Sequence, residues 1–485
     1  MHNEESTAGK HQCTDTRNRS QSKCTLLGAD GGHGSESQGR GRGIHCILSG
    51  SDPSNYDYND PFKLWAIQGA LIIVISRICF LLLWRMRQPR VVAEIIGGIV
   101  LGPTVMGRIP KFSTTIFPQE SIPILNLCAT LGLVLFLFLA GLEIDLQLIK
   151  QHARTSAVVS AAGSIIPFAF GSLLSLAHYR AFMDDSVNFG HFALFTCISV
   201  GITAFPILCR MLAQLELFSA PLGVIVLSAG VGNDVVGWIL LALAVTLVNS
   251  TTGLAALWIL LICIGYTLFL IYPVRWLFRW IGQATGELGT GEPSSIMMAC
   301  AIMMLLVSAF FTDITGLHAI FGAFISGLII PRDKQLSIAM MKRLEPVVWN
   351  IFLPVYFALS GLKTDLGLLN TGKAWGFTIL VCLLAYMGKL IGCGGASKLM
   401  GFTWRESAAI GTLMSCKWLL ELIVINFALQ AKVFPSIVFA MFVVHAVVLM
   451  VIITPVTGWI YPARCRSQQS DTPVCGASDT SISGV

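Results

Sequence analysis

Only 12% of the 485 residues are Asp, Glu, Lys or Arg, about half of the ~25% usual in soluble chains, while 54% are hydrophobic and the mean hydropathy is +0.73. A water-facing surface cannot be covered by so few charges, which disfavours soluble enzymes, disulfide scaffolds and nucleic-acid binders; the formal charge of +6 reflects where the basic residues sit, not an anionic partner. Nine of the 14 Cys lie in apolar segments without a CxxC pair or Cys/His cluster, so they read as small core hydrophobes and call for no cofactor.

In chain order, residues 1–62 are polar, carry the run GADGGHGSESQGRGRG and show no apolar period, as expected of a disordered tail. Apolar runs then recur, each long enough to cross ~30 Å of hydrocarbon. Breaks at polar or Pro/Gly clusters define thirteen candidate helices: 64–84, 91–107, 122–142, 155–177, 191–213, 221–248, 253–274, 294–312, 317–331, 346–362, 374–393, 405–429 and 434–460. A short tail, 461–485, follows. Alternate loops, counted with the C-terminal tail, hold 16 basic residues against 6 in the others, which places the C-terminus in the cytosol and the N-terminus outside or in a lumen. The chain therefore reads as an all-α polytopic membrane protein.

LFLAGLEIDLQLI (137–149) reappears as YFALSGLKTDLGLL (356–369), with Gly141 and Gly361, Leu142 and Leu362, and Asp145 and Asp365 each 220 apart. A second match, 225 apart, pairs Gly97 and Gly102 with Gly322 and Gly327. Two matches at nearly one offset indicate duplication, with 64–248 and 294–460 as the repeats and 253–274 as the linker inside a 63–460 transmembrane domain. Seven spans separate equivalent helices, so the halves are inverted, a recurring design of secondary transporters that breaks a helix in each half near the midplane. The fifth span carries Gly201, Thr203 and Pro206 at its centre, where a proline removes a backbone hydrogen bond. Its counterpart, the twelfth, has no proline but places Ser415, Lys417 and Glu421 in an otherwise apolar run.

An Asp at the centre of a membrane helix costs on the order of 3 kcal/mol, so Asp234 of the sixth span is the leading functional residue. A carboxylate that is either protonated or cation-bound makes H⁺ and a hard monovalent cation exclude one another, which is the least that exchange requires. Its neighbour Asn233 is neutral, so one proton per cation and little net charge movement are expected. The bland alternative is that Asp234 only pairs with a basic residue to hold helices together. Lys389, mid-span in the eleventh helix, is the natural partner of the empty acid. Lys417 and Glu421 stand at i and i+4 and either neutralise one another or, if that helix is unwound, leave Lys417 to compensate exposed carbonyls. His318 either caps the ninth span or relays protons. Structural pairing is the expectation for Arg77 and Glu94. GLLNTGKA (367–374) misses the hydroxyl residue of a P-loop. Glycosylation sequons stand at Asn18 and Asn249.

The segments QPRVVAEIIGGIVLGPTVMGRIP, LGLVLFLFLAGLEIDL, ITAFPILCRML, SAGVGNDVVGWILLALAV, LHAIFGAFISGLI, LPVYFALSGLKTDL and LMSCKWLLELIVINFALQ together resemble the monovalent cation:proton antiporter-2 family, of the fungal potassium/proton antiporter and plant cation/proton exchanger type. The resemblance covers nearly all of 64–460. It implies a sodium/proton antiporter fold in which a core domain with two crossing discontinuous helices moves against a dimerisation domain. It also implies K⁺ or Na⁺ exchanged for H⁺, a homodimer in the bilayer, and residence in the plasma membrane or an endomembrane (Golgi, endosome or vacuole). By motif, Asp234 matches the ion-binding aspartate of the asparagine-aspartate pair, Thr203 to Pro206 the crossover, Lys389 the membrane lysine, Lys417 and Glu421 the charged twelfth-helix motif, and His318 the ninth-helix histidine.

Trp418 stands where the family usually has Gly, Phe427-Ala428 where Ile-Gly is usual, and only about 25 residues follow the last span. These departures keep a truncated or weakly active copy, or a non-transporting regulator, among the alternatives. A cation channel lacks a pore-loop signature here, an intramembrane aspartyl protease lacks its second acid, and a same-fold organic-anion/sodium symporter stays open.

Overall fold

All thirteen expected spans are helical in the computed structural model, which describes residues 61–461 apart from 86–89, 144–152, 184–186, 216, 218–219, 250–252, 287–292, 317, 332–335 and 418. The two tails, Asp145, the Asn18 sequon, Ser250 and Thr251 of the second sequon, and Trp418 lie outside the described residues. No strand occurs among those described.

The spans are α1 (Phe62–Trp84), α2 (Arg90–Leu101), α3 (Ile122–Glu143), α4 (Ala153–Phe182), α5a (Phe189–Gly201) with α5b (Phe205–Gln214), and α6 (Pro221–Asn249). Helix α7 (Gly253–Phe269) continues through a wide turn at Leu270–Val274 into Arg275–Ala284. Then come α8 (Ser295–Ile314), α9 (Ala319–Ile329), α10 (Leu336–Val347, a wide turn Val348–Phe352, then Leu353–Leu362), α11 (Gly372–Lys389, a wide turn Leu390–Gly394, then Gly395–Leu399), α12a (Trp404–Leu413) with α12b (Leu419–Gln430), and α13 (Ser436–Ile460). Among the described residues ten helical stretches are long and apolar enough to cross a membrane; Phe189–Gly201, Ala319–Ile329 and Leu420–Gln430 are apolar but shorter. A 13-residue helix spans only ~20 Å, so α5a cannot cross the hydrocarbon by itself. The exposed large apolar side chains, among them Leu81, Leu82, Trp258, Trp276 and Phe310, suit a lipid-facing rim.

Two crossings, related by the repeat, brace the bundle. Helix α3 packs on α9 and α2 on α10. A Cβ on Gly141 would sit 2.4 Å from Phe324 O, and one on Gly327 2.2 Å from Phe138 O; in the other pair, Gly98 would meet Ala358 O at 2.2 Å and Gly361 would meet Ile95 O at 2.4 Å. Helices with no driving force from water associate by close backbone packing, and small residues permit it. Gly141, Gly327 and Gly361, three of the glycines that marked the duplication, together with Gly98 let the two equivalent pairs of helices pack closely.

Helix α10 begins ten residues earlier than the sequence pattern implies, at Leu336 instead of 346. The charged run MKRLEP reads as a loop, yet it is helical, with Pro346 accommodated immediately before the wide turn at Val348–Phe352. Replacing Gly141 by Ala forces α3 and α9 apart, at roughly 1–3 kcal/mol for an overpacked contact. Thermal denaturation in detergent should show a clear loss for Gly141→Ala and none for Gly265→Ala, whose Cβ would meet nothing within 4 Å.

Candidate functional site

The fifth helix stops at Gly201 and restarts at Phe205. Ile202 is extended, and Pro206 takes the second position of α5b, where a missing N–H costs nothing. A side chain on Gly201 would strike the Phe168 ring at 2.2 Å. The twelfth helix is broken too, between Leu413 and Leu419, without any proline. Its last turn tightens, with Ser415 N donating to Thr412 O and Cys416 N to Leu413 O, both at 3.1 Å. The carbonyls released there are taken by the other break: Thr203 Oγ1 donates to Met414 O at 2.7 Å, and Ala204 N donates to Cys416 O at 3.1 Å. The two unwound segments therefore cross and hydrogen-bond one another.

A helix break exposes N–H groups on one side and carbonyls on the other, with partial charges that favour an anion and a cation respectively. Both complements are present. At the start of α5b, Thr203 N donates to Asn233 Oδ1 at 2.8 Å and Phe205 N donates to Asp234 Oδ2 at 3.3 Å. At the end of α5a, Lys417 Nζ donates to Ser199 O at 2.7 Å and to Val200 O. The paired acid and base thus flank one crossing, each at the helix end its charge suits.

Asp234 is buried, 7% exposed, and its Oδ1 has no hydrogen-bond partner. Leaving a buried acceptor unsatisfied costs on the order of 1–3 kcal/mol. That oxygen is the atom open to a proton or a cation. Asn233 is held on both sides, since its Nδ2 donates to Ser164 Oγ at 2.9 Å while its Oδ1 also accepts from Lys389 Nζ at 3.3 Å. Ser164 Oγ in turn donates to Ser160 O at 3.0 Å. Lys389 is fully buried, at the end of the first section of α11, and the wide turn after it lets Gly392 lie against Ala162 O of α4.

One sequence reading changes here, that of Lys389, and for Lys417 and His318 one of two open alternatives is the one found. Lys389 makes no ion pair with Asp234 among the described residues; the Asn233 amide stands between them as acceptor. Lys417 and Glu421 do not neutralise one another across one helical turn, because Lys417 lies ahead of the start of α12b and its ammonium reaches across to α5a. Glu421 instead meets His445 of α13, Oε1 to Nδ1 at 2.8 Å, with both side chains fully buried. His318 caps α9, its Nδ1 accepting from Ile320 N at 3.4 Å, and is not among the residues at the crossing. Arg77 donates to Asn350 Oδ1 at 2.7 Å and lines a small pocket with Glu94. Ser164 and His445 were missed. The available signals were Ser160 and Ser164 at i and i+4 in an apolar span, and a lone histidine in MFVVHAVVLM.

Residues 70–461 match the family described as sodium/hydrogen exchanger, transmembrane. The chain is 40% identical over 427 residues to K(+)/H(+) antiporter 1 of Saccharomyces cerevisiae, which covers 87% of this chain and 49% of that protein. It is 37% identical over 428 residues to Cation/H(+) antiporter 18 of Arabidopsis thaliana, covering 88% of this chain and 52% of that one. It is 35% identical over 395 residues to Na(+)/H(+) antiporter NhaS4 of Synechocystis, covering 81% and 96%. The chain thus spans about half the length of the yeast and plant relatives. Among solved structures, the sodium proton antiporter MjNhaP1 of Methanocaldococcus jannaschii superposes with a TM-score of 0.54 at 13% identity, covering 84% of this chain and 99% of that one, which establishes the fold. The chain belongs to the sodium/hydrogen exchanger transmembrane family.

Proposed function

We propose that this protein exchanges a monovalent cation, K⁺ in preference to Na⁺, for H⁺ across a membrane by alternating access around Asp234. The observation that carries the reading is a single buried carboxylate with one unsatisfied oxygen, placed where two broken helices cross. Proton and cation compete for Asp234 Oδ1, so they occupy it by turns, and a site emptied on one side is refilled there by the other ion before it turns to face the opposite side. A monovalent cargo at Asp234 would have its shell completed by neutral oxygens. Such oxygens stand near Thr203. The yeast relative's name supports K⁺ and the cyanobacterial relative's name supports Na⁺.

Asn233, Lys389 and Lys417 act as positioning groups in this reading. Asn233 ties α5b, α4 and α11 to the site while contributing no charge, and Lys389 supplies a nearby positive charge that moderates an empty carboxylate. With one titrating carboxylate, one proton leaves per cation, so exchange is electroneutral. The core domain that holds both crossing helices moves against a dimerisation domain, through which two copies of the chain pair. The excess of basic residues in alternate loops supports a cytosolic C-terminus and a non-cytosolic N-terminus.

In proteoliposomes reporting internal pH, K⁺, Na⁺ and Li⁺ added side by side should each be tested for proton efflux, with K⁺ the most effective. Asp234→Asn should abolish the flux; retained cation-dependent flux in that variant overturns the mechanism. Sodium-driven exchange should run at the same rate whether or not a membrane potential is imposed, whereas potential-dependent rates would contradict one-for-one exchange. Lys417→Met leaves two buried carbonyls without a donor, at ~1–3 kcal/mol each. It should lower the thermal midpoint by several degrees, with Lys417→Arg restoring part of the loss.

A further inference from the structure

A second polar cavity, of about 60 Å³, lies where α3, α10, α12b and the cap of α9 meet. Asn126, Thr130, Tyr356, Ser360, Lys363 and Asn426 line it, a concentration of neutral oxygens and amides unusual for this apolar bundle. One wall is α12b, which starts at the crossing; Asn426 is seven residues beyond Leu419, ~10 Å along the helix axis. The neighbouring Phe427 stacks on Phe195 of α5a, so the cavity abuts both broken helices.

Into this cavity reaches one ammonium. Lys363 Nζ contacts Asn126 Oδ1 at 3.5 Å, and no carboxylate pairs with it among the described residues. Of the oxygens on α10, one lacks a hydrogen bond and one is used twice. Tyr356 is buried with its hydroxyl unpartnered, and Ser360 Oγ, which donates to Tyr356 O at 3.2 Å, accepts from Asn426 Nδ2 at 2.8 Å. A lysine kept largely from water without a counter-ion is costly, and its presence calls for a role. An ammonium is a compact, strongly hydrated point charge that seeks several oxygen ligands, as an alkali cation does.

We propose that this cavity is a transit site for the monovalent cation and that the Lys363 ammonium is a tethered competitor for it. The inference rests on the cation-exchange reading above. Lys363 raises the cation concentration needed to load the site and prevents the cavity from trapping cargo on its way to Asp234. His318 lines the same cavity, with its Nδ1 committed to the cap of α9.

The test uses the full chain. In proteoliposomes, Lys363→Met should lower the half-saturating K⁺ concentration about threefold or more, the scale of one exposed charge interaction, while Lys363→Arg, which retains the cation, should restore the original value. An unchanged half-saturation in Lys363→Met overturns the proposal. Binding is read separately by thermal denaturation in KCl against choline chloride at equal ionic strength, in an Asp234→Asn background. Because a ligand that binds only the folded state stabilises it, K⁺ should stabilise Asp234→Asn/Lys363→Met and not Asp234→Asn alone. Equal responses in both overturn the site. Lys363→Gln serves as the second neutral variant if the methionine protein does not fold. A wild-type protein without cation-driven proton flux defeats the exchange reading, whereas the denaturation comparison still decides the cavity.

Discussion

Two short stretches of chain that interrupt their helices, 202–204 and 414–417, are buried within the bundle, and the rest of the site follows from how their backbone groups are satisfied. In hydrocarbon every peptide N–H and C=O needs an internal partner. The two stretches meet this demand by bonding to each other, Thr203 Oγ1 to Met414 O and Ala204 N to Cys416 O. What they cannot supply comes from charges of suitable sign, a carboxylate at an N-terminal helix end and an ammonium at a C-terminal one. A site that concentrates charge in the membrane is thereby also what allows the helices to break.

This arrangement explains why one acid can remain chemically available. Asp234 has one oxygen engaged by Phe205 N and the other unpartnered, so the helix end orients the carboxylate without saturating it. The neutral Asn233 accepts from Lys389, which holds the lysine near the acid without pairing the two. Lys417 is occupied by the carbonyls of α5a, and Glu421 by His445. Each strong partner that might have neutralised Asp234 permanently is bound elsewhere.

Around the crossing, the glycine contacts of α3 on α9 and α2 on α10 set a rigid frame. Gly141, Gly327 and Gly361 stood out in the sequence as marks of the duplication, but which helices they bring together, and the part of Gly98, came from the structure. The spans were legible in the sequence because a hydrocarbon layer imposes a length and a composition that any crossing helix must satisfy. The exception, the early start of α10, arose where Lys342, Arg343, Glu345 and Pro346 interrupt the apolar run, although a helix tolerates that interruption by widening one turn. The Pro206 break was visible for local reasons, since a proline removes a donor wherever it stands.

Composition and spacing by themselves determined that the chain spans a membrane about thirteen times, that its halves are inverted copies, and that Asp234 is the residue to explain, because each of these is a constraint on a single segment or on its repetition. The break in the twelfth helix, the reach of Lys417 to Ser199 and Val200, the Glu421–His445 contact and the place of Ser164 were decided only by tertiary structure. Each depends on which atoms of distant segments arrive at hydrogen-bonding distance, and no periodicity along one helix encodes that. Lys417 and Glu421 show the difference most plainly: four residues apart, they share a face on a continuous helix, but Lys417 stands ahead of α12b and its ammonium is held by carbonyls more than two hundred residues away.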